Sequence, residues 1–311
     1  MRPGGGSVVS VLEVGGTHVT AACVDIGTRS LRSGRSFREP LDGDGSTEDI
    51  VSALVRCAAH LSGGSPGPWA VALPGPFDYE RGIGRYEGVG KFDALRGFDL
   101  RAALTASLPG ATSVSFWNDA DAFVLGEWWA GAAHGHRSVA GITLGTGVGS
   151  CFLRDGRIVR HGPGIPPEGR VHALRYADKP VEETVSRRAL RRAYAQATGA
   201  SPPDVREIAR RAREGEGAAA AVFAEAFSAL GRVLGPPLAA FRPTVLVVGG
   251  AIAGAWDLVA EPLRAGLDAA DPARTRHIVI TPAHQPDQAP LLGAARLATA
   301  CGESRRRTAS R

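Results

Sequence analysis

The stretch SVVSVLEVGGTHVTAACV, Ser7–Val24, decides how the chain is to be read. Ser7–Val14 is apolar and β-branched, stops at Gly15-Gly16, and resumes over Thr17–Val24. Two strands joined by a Gly-Gly turn follow from that pattern. Such a turn has a second use. Without a Cβ, its backbone N–H groups can approach a phosphate oxygen closely. A single turn carries either meaning.

The device recurs twice. Gly145-Thr146-Gly147-Val148-Gly149 follows the apolar run Ser138–Leu144, and Gly249-Gly250 ends the run Pro243–Val248. Three such turns, two with a threonine hydroxyl, point to a nucleotide site. None fits the GxxxxGK[ST] loop or a dinucleotide fingerprint that opens a helix. Around them the periodicity predicts further elements. Ser46 opens a helix with Asp49 three residues on and apolar positions Ile50, Leu54, Val55, Ala58 and Leu61. Pro68–Leu73 reads as a buried strand before the rigid turn Pro74-Gly75-Pro76, residues 77–98 as irregular, and Asp99–Ser107 as a helix. Val114–Trp117 is a strand that runs into Asn118-Asp119-Ala120-Asp121 and a helix through Trp128-Trp129. Beyond the second turn come helices over 181–213, over Ala218–Phe241 with a bend or break at Gly235-Pro236-Pro237, and over Asp257–Ala269. A strand His277–Thr281 and a closing helix Gly293–Thr299 complete the chain. Strand pairs followed by helix and strand thus occur twice, in an α/β chain of two similar halves with its midpoint near residue 115.

The 311 residues suit two domains, and 44% hydrophobic with 22% charged residues is a globular balance. The net charge of +5 rests largely on Arg305, Arg306, Arg307 and Arg311. A nucleic-acid interface needs a basic face on a folded element, so these read as a solvated, disordered tail with no nucleic-acid partner. The four cysteines, Cys23, Cys57, Cys151 and Cys301, have no metal-ligand spacing. A reduced, cytoplasmic, zinc-free protein is expected. Met1–Ser10 lacks the features of a signal peptide, and no eighteen-residue window is uninterruptedly apolar, so no membrane partner is expected.

Asp119 is the candidate chemical group. A carboxylate at the end of a strand can serve as the general base for an attacking hydroxyl, or simply as the N-cap of the next helix. Phosphoryl transfer asks for little more than positioning, charge neutralisation and such a proton acceptor. Lys91 and Lys179 are the only lysines, which makes Lys91, in a Gly-rich loop, a candidate for phosphate or substrate contact. Trp128 and Trp129 suit a core or an interface.

In chain order, Glu13-Val14-Gly15-Gly16-Thr17, Leu73-Pro74-Gly75-Pro76-Phe77-Asp78, Asn118-Asp119-Ala120-Asp121-Ala122, Leu144-Gly145-Thr146-Gly147-Val148-Gly149 and Val247-Val248-Gly249-Gly250 resemble the ROK family (repressors, open reading frames and kinases). The likeness spans roughly residues 8 to 300. The family includes bacterial glucokinases of the actin/hexokinase superfamily. The resemblance implies a two-domain α/β actin-like/hexokinase (ribonuclease H-like) fold with an interdomain active-site cleft. The expected domains are residues 1–115, completed by a helix over 288–302, and residues 116–287, leaving 303–311 as the basic tail. It implies Asp119 as catalytic base, Asn118 as a sugar ligand and Gly75 in the loop bordering the sugar. Gly15, Gly16 and Thr17 would form the first phosphate loop, Gly145, Thr146 and Gly147 the second, and Gly249 and Gly250 the adenosine-side loop. ATP and Mg²⁺ are the implied cofactors, and a homodimer is compatible with the family.

The chain departs from the family in four places. Glu13 stands where Asp usually begins the first loop; it keeps the charge and can hold Mg²⁺ through water. His18 follows the threonine where Lys is frequent. The His and three Cys of the family's zinc site are missing. The sugar-reading Gly-Glu-x-Gly-His becomes Pro166-Pro167-Glu168-Gly169-Arg170-Val171-His172. Either Glu168 and His172 keep their roles across one extra residue, or Arg170 replaces the Glu, and Arg cannot accept a hydrogen bond from a hydroxyl. Glu87 is a candidate sugar ligand from the first domain. The resemblance therefore implies an ATP-dependent sugar kinase, glucokinase-like, acting on a hydroxyl, by default primary, of a hexose or close analogue. A kinase for a cyclitol or modified sugar is the alternative, and a non-catalytic sugar sensor the alternative of another class. Whether polyphosphate replaces ATP stays open. About seven residues precede the first strand, so a DNA-reading repressor is not expected.

Overall fold

The computed structural model describes residues 8–61 and 66–309, the side chains of 301–309 excepted. Two compact units divide it: Met1–Ala130 with Asp287–Arg311, and Gly131–Pro286.

In the first unit β1 (Val8–Val14) and β2 (His18–Asp25) form the expected hairpin, with Val14 opposite Val19. β3 (Ser30–Pro40) adds antiparallel to β2. α1 (Thr47–Ala59) begins in a capping box: Ser46 Oγ accepts from Asp49 N–H at 3.1 Å, and Asp49 Oδ2 accepts from Ser46 N–H at 3.3 Å. β4 (Gly67–Leu73) lies parallel to β1. α2 (Leu100–Ser107) is capped by Asp99 and leads to β5 (Ala111–Asn118), parallel to β4, and α3 (Asp119–Ala130). The sheet order is β3-β2-β1-β4-β5. Both faces are covered. Leu12, Val14, Val19, Ala21 and Cys23 belong to a core with residues of α1 and α2, while Val9, Val11, Ala22 and Val24 pack with α3 and the closing helix Ala289–Ala309. This double burial explains the nearly continuous apolar run with which the chain begins.

The division falls after Ala130 rather than near 115, because α3 packs on the closing helix. Their backbones touch at two glycines. A Cβ on Gly126 would overlap the carbonyl of Ala289, and one on Gly293 the carbonyl of Ala122. The closing helix runs to Ala309, so residues 303–309, expected as a disordered tail, are helical backbone. Ser310 and Arg311 lie outside the described residues.

The second unit repeats the plan. β6 (Ser138–Leu144) and β7 (Val148–Arg154) form a hairpin around the second Gly turn, extended by β8 (Arg157–Ile158). A one-turn helix over Glu182–Val185 and three longer ones follow: α4 (Arg187–Thr198), α5 (Val205–Arg213) and α6 (Gly217–Phe241). β9 (Val245–Gly249) lies parallel to β6, then come α7 (Trp256–Ala270) and β10 (Val279–Pro282), parallel to β9. The order β8-β7-β6-β9-β10 is that of the first sheet. The helix α6 is not broken at Pro236-Pro237. An internal proline costs about 3 kcal/mol, but Leu230, Leu234 and Leu238 are buried, and Gly231 meets the backbone of α7 at Leu263 and Gly266. That packing outweighs the local preference. By length and composition α6 is long and apolar enough to cross a membrane, yet half of the qualifying stretch is buried, and its residues belong to the main core of this unit.

The glycine contact between α3 and the closing helix is testable. Gly126→Ala and Gly293→Ala should each lower stability by about 1–3 kcal/mol through overpacking, read as a drop in thermal unfolding temperature. Gly217→Ala, where a Cβ meets nothing within 4 Å, should leave it nearly unchanged.

Candidate active site

Parallel pairing brings three strand ends of the first unit to one edge. Glu13 of β1 lies beside Ala72 of β4, and Leu73 of β4 beside Asn118 of β5. Glu13 with the Gly15-Gly16 turn, the Pro74-Gly75 turn and Asn118-Asp119 therefore follow one another along the carboxyl ends of β1, β4 and β5. This is where open α/β sheets place their ligands.

At the start of α3 most of the capping falls to the neighbour of Asp119. Asn118 Oδ1 accepts from the N–H of Ala120 at 3.1 Å and of Asp121 at 3.3 Å, so Asn118 does the capping. Its Nδ2 donates to the Tyr79 hydroxyl at 3.0 Å, which donates to Leu73 O at 3.2 Å. Tyr86 is a core residue whose hydroxyl donates to Pro74 O at 2.6 Å. Burial pushes its phenol up, so it stays neutral. The two tyrosines thus fix the turn at Gly75. Among the described residues Asp119 accepts one hydrogen bond, from the N–H of Ala120 at 2.9 Å. Burial pushes its pKa above the ordinary carboxylate range; the Lys91 charge and the Ala120 N–H oppose the rise, while Glu13 and Asp121 add to it.

Around the first turn, Gly15 N–H donates to His18 O at 2.9 Å, and among the described residues no protein acceptor takes the N–H of Gly16 or Thr17. The Thr17 hydroxyl lies 3.4 Å from His18 Nδ1. The His18 ring lies along Gly15, where a Cβ would come within 3.0 Å of it, and its Nε2 is 3.6 Å from Glu13 Oε2. At the start of β2 it is a half-buried neighbour of the turn. The stem of Lys91 lines Gly16, with Cδ 3.2 Å from the place of a Cβ there.

In the second unit β9 runs parallel to β6 with Gly249 beside Thr143, so the turns Gly145–Gly147 and Gly249-Gly250 share one edge. Gly250 has φ 84° and sits against the backbone of Leu144, which excludes any side chain. A Cβ on Gly145 would meet nothing, so protein packing does not demand a glycine there. The N–H groups of Thr146 and Gly147 have no protein acceptor among the described residues. Glu182 was not singled out from sequence. Its Oε2 accepts from Val148 N–H at 2.8 Å and lies as close to a Cβ position on Gly147. The acidic pair Glu182-Glu183 at a helix start was its only signal, and such pairs are common at helix N-termini.

The remaining sugar-side candidates are less gathered. Glu168, at φ 54°, pairs with Arg170 at 2.6 Å, and both are exposed. Ser150 of β7 anchors this stretch by donating to Gly169 O at 2.6 Å and accepting from Val171 N–H at 2.9 Å. His172 is half-buried and outside that ion pair. Glu87 is exposed and paired with Arg96 at 2.8 Å. Trp129 is buried in the first unit and Trp128 packs against the same cluster, which accounts for both without an interface.

The ROK family profile matches residues 9–301. The chain is 27% identical to a glucokinase of Thermotoga maritima over 276 residues, covering 81% of this chain and 84% of that protein. It is 27% identical to a β-glucoside kinase of Klebsiella pneumoniae, covering 78% and 82%. A ROK glucokinase from Streptomyces griseus, solved with glucose and AMPPNP, superposes with a TM-score of 0.76 at 25% identity over 94% of this chain and 99% of that one. That agreement extends to the two-sheet α/β architecture, the actin-like/hexokinase fold implied by the motifs. By its motifs, its fold and the span of the match, the chain belongs to the ROK family.

Proposed function

We propose that this protein is an ATP-dependent sugar kinase in which Asp119 takes the proton of the acceptor hydroxyl. The observation that carries the reading is the division of labour at the start of α3. Asn118 accepts from the N–H groups of Ala120 and Asp121, while Asp119, which shares only the Ala120 N–H, is a partly buried carboxylate just beyond the strand end. Kinship with sugar kinases supports the reaction class. In the step itself the sugar oxygen forms a bond to the γ-phosphorus, the bond to the β–γ bridging oxygen breaks, ADP leaves, and the hydroxyl proton goes to Asp119. The unpartnered N–H groups of Gly16, Thr17, Thr146 and Gly147 are the candidate phosphate donors, with Gly249 and Gly250 on the nucleoside side.

Mg²⁺ neutralises phosphate charge when bound. No group of three or more His, Cys, Asp or Glu able to hold a metal occurs among the described residues. That fits an ion held by one or two carboxylates and the substrate's own phosphates. Glu13, beside the first turn, is the residue that would hold it through water.

For the acceptor, a hexose is the leading reading, at its primary hydroxyl. The Glu168–Arg170 ion pair favours a second one, a cyclitol or modified sugar, because it ties up the carboxylate that would otherwise read a hydroxyl. ADP release with Mg-ATP and a panel of hexoses, amino sugars and cyclitols separates them. A wild-type protein that binds sugar but turns over none of the panel would instead support a sensor.

Asp119→Asn should lower kcat about 10²–10⁴-fold while AMPPNP binding, read by calorimetry, stays near wild type; retained turnover would refute the base assignment. The pH profile has a defined sign. Because Asp119 is held above the ordinary carboxylate range, the ionised base is lost as pH falls through a value above about 3.9, and the acid limb of kcat/KM should lie above that value. Glu13→Gln should raise the Mg²⁺ concentration needed for half-maximal rate by about tenfold, the effect of roughly 1.4 kcal/mol, with little change in sugar KM.

A further inference from the structure

The hydrogen bonds around Asn118 have a polarity that is fixed at both ends. On one side the backbone N–H groups of Ala120 and Asp121 can only donate, so Asn118 must turn its oxygen to them. On the other side the Tyr79 hydroxyl gives its proton to Leu73 O, at 3.2 Å. With that proton committed, the hydroxyl can only accept from Asn118 Nδ2, at 3.0 Å. An amide turned end for end would set N–H against N–H at the helix and oxygen against oxygen at Tyr79. Asp119 is tied to the outcome. The Ala120 N–H is shared between Asn118 Oδ1 at 3.1 Å and Asp119 Oδ1 at 2.9 Å. Without the Asn118 oxygen, the N–H groups at the helix start would fall to the neighbouring carboxylate.

Tyr79 is itself held. It lies at the tip of a small hairpin in which Phe77-Asp78 pairs with Ile83-Gly84. Arg101 of α2 clasps that tip, donating to Tyr79 O at 3.2 Å, Glu80 O at 2.9 Å and Arg81 O at 3.2 Å. It also donates to Val114 O of β5, the strand that ends in Asn118. Gly82 makes room for it, since a Cβ there would lie 2.5 Å from Arg101 Cβ. The Phe77 ring flanks that of Tyr79, with centroids 5.4 Å apart.

Resting on the reading of Asp119 as the base, we propose that Tyr79 is a positioning residue for phosphoryl transfer. It locks the Asn118 amide with its oxygen on the helix, so that Asp119 keeps an oxygen open for the acceptor's proton. Its hydroxyl also lies 3.3 Å from the place of a Cβ on Gly75, so one group sets the Pro74-Gly75 turn against Asn118. Arg101 anchors Tyr79 to the strand it serves.

Asn118 is the only asparagine in the chain, so asparagine-selective ¹⁵N labelling of the full-length protein gives one side-chain amide to follow. In the wild type it should exchange with solvent about tenfold more slowly than a free amide, and Tyr79→Phe, which keeps the ring, should remove most of that protection, as expected for one hydrogen bond. With Mg-ATP and the best acceptor of the panel, kcat should fall about tenfold in Tyr79→Phe, while AMPPNP affinity stays near wild type. A cycle with Asn118→Ala separates a route through Asn118 from general support of the fold. If Tyr79 acts through Asn118, Tyr79→Phe costs little more in the Asn118→Ala background; independent effects would multiply. An unprotected wild-type amide, an unchanged kcat, or the same loss in both backgrounds would overturn the role of Tyr79. Each of these leaves the base assignment standing as long as Asp119→Asn is inactive, whereas turnover by Asp119→Asn would overturn both. If Tyr79→Phe fails to fold by circular dichroism, Arg101→Lys, which loosens the hold on Tyr79, takes its place under the same criteria.

Discussion

The hydrogen bonds from the N–H groups of Ala120 and Asp121 to Asn118 Oδ1 are what the chemistry of the first unit depends on. A helix that starts directly from a strand leaves several backbone donors without partners. One side chain must meet that demand, and whichever residue does so is committed. Because Asn118 takes the task, its amide also becomes a rigid link to Tyr79 and through it to Leu73. The adjacent carboxylate remains available. The same arrangement places Asp119 at the helix N-terminus, where the backbone dipole favours negative charge and works against the desolvation that raises its pKa.

Each sheet gathers its own glycine turns at one edge by the same device. In each, the first strand has a hairpin partner on one side and parallel neighbours on the other. Parallel neighbours end at the same edge, so residues far apart in sequence become adjacent: Glu13 with Gly75 and Asn118, Gly145 with Gly249. Glycine then serves different ends at each turn. Gly250 is required by its positive φ and the backbone of Leu144, Gly16 has only the flexible stem of Lys91 beside it, and Gly145 faces open space and answers to nothing in the protein.

Most strands and the order of the glycine turns were legible because each apolar run is short and ends at a glycine, proline or Asn-Asp break. The start of α1 was legible because Ser46 and Asp49 act within one helical turn. Features set by contacts distant in sequence were not. The prolines of α6 suggest a break that its packing on α7 overrides, and the basic end of the chain reads as unstructured although its backbone continues a helix. Tyr79 and Glu182 carry no motif, and Glu182 meets the second turn from 34 residues downstream of Val148. Glu87 looked available because sequence does not reveal its partner, Arg96.

The pairing of α3 with the closing helix has a consequence for the order in which the protein is made. The first unit is interrupted by residues Gly131–Pro286 and is completed only by a segment made after the second unit. The second unit is continuous and can collapse as soon as it emerges. Until the closing helix arrives, one face of the first sheet, with Val9, Val11, Ala22 and Val24, lacks the cover of Leu291, Leu292, Ala294 and Ala295. Nascent chains with an exposed apolar face of this kind are prone to aggregate and depend on protection until it is closed. For this protein the vulnerable interval spans the whole synthesis of the second unit.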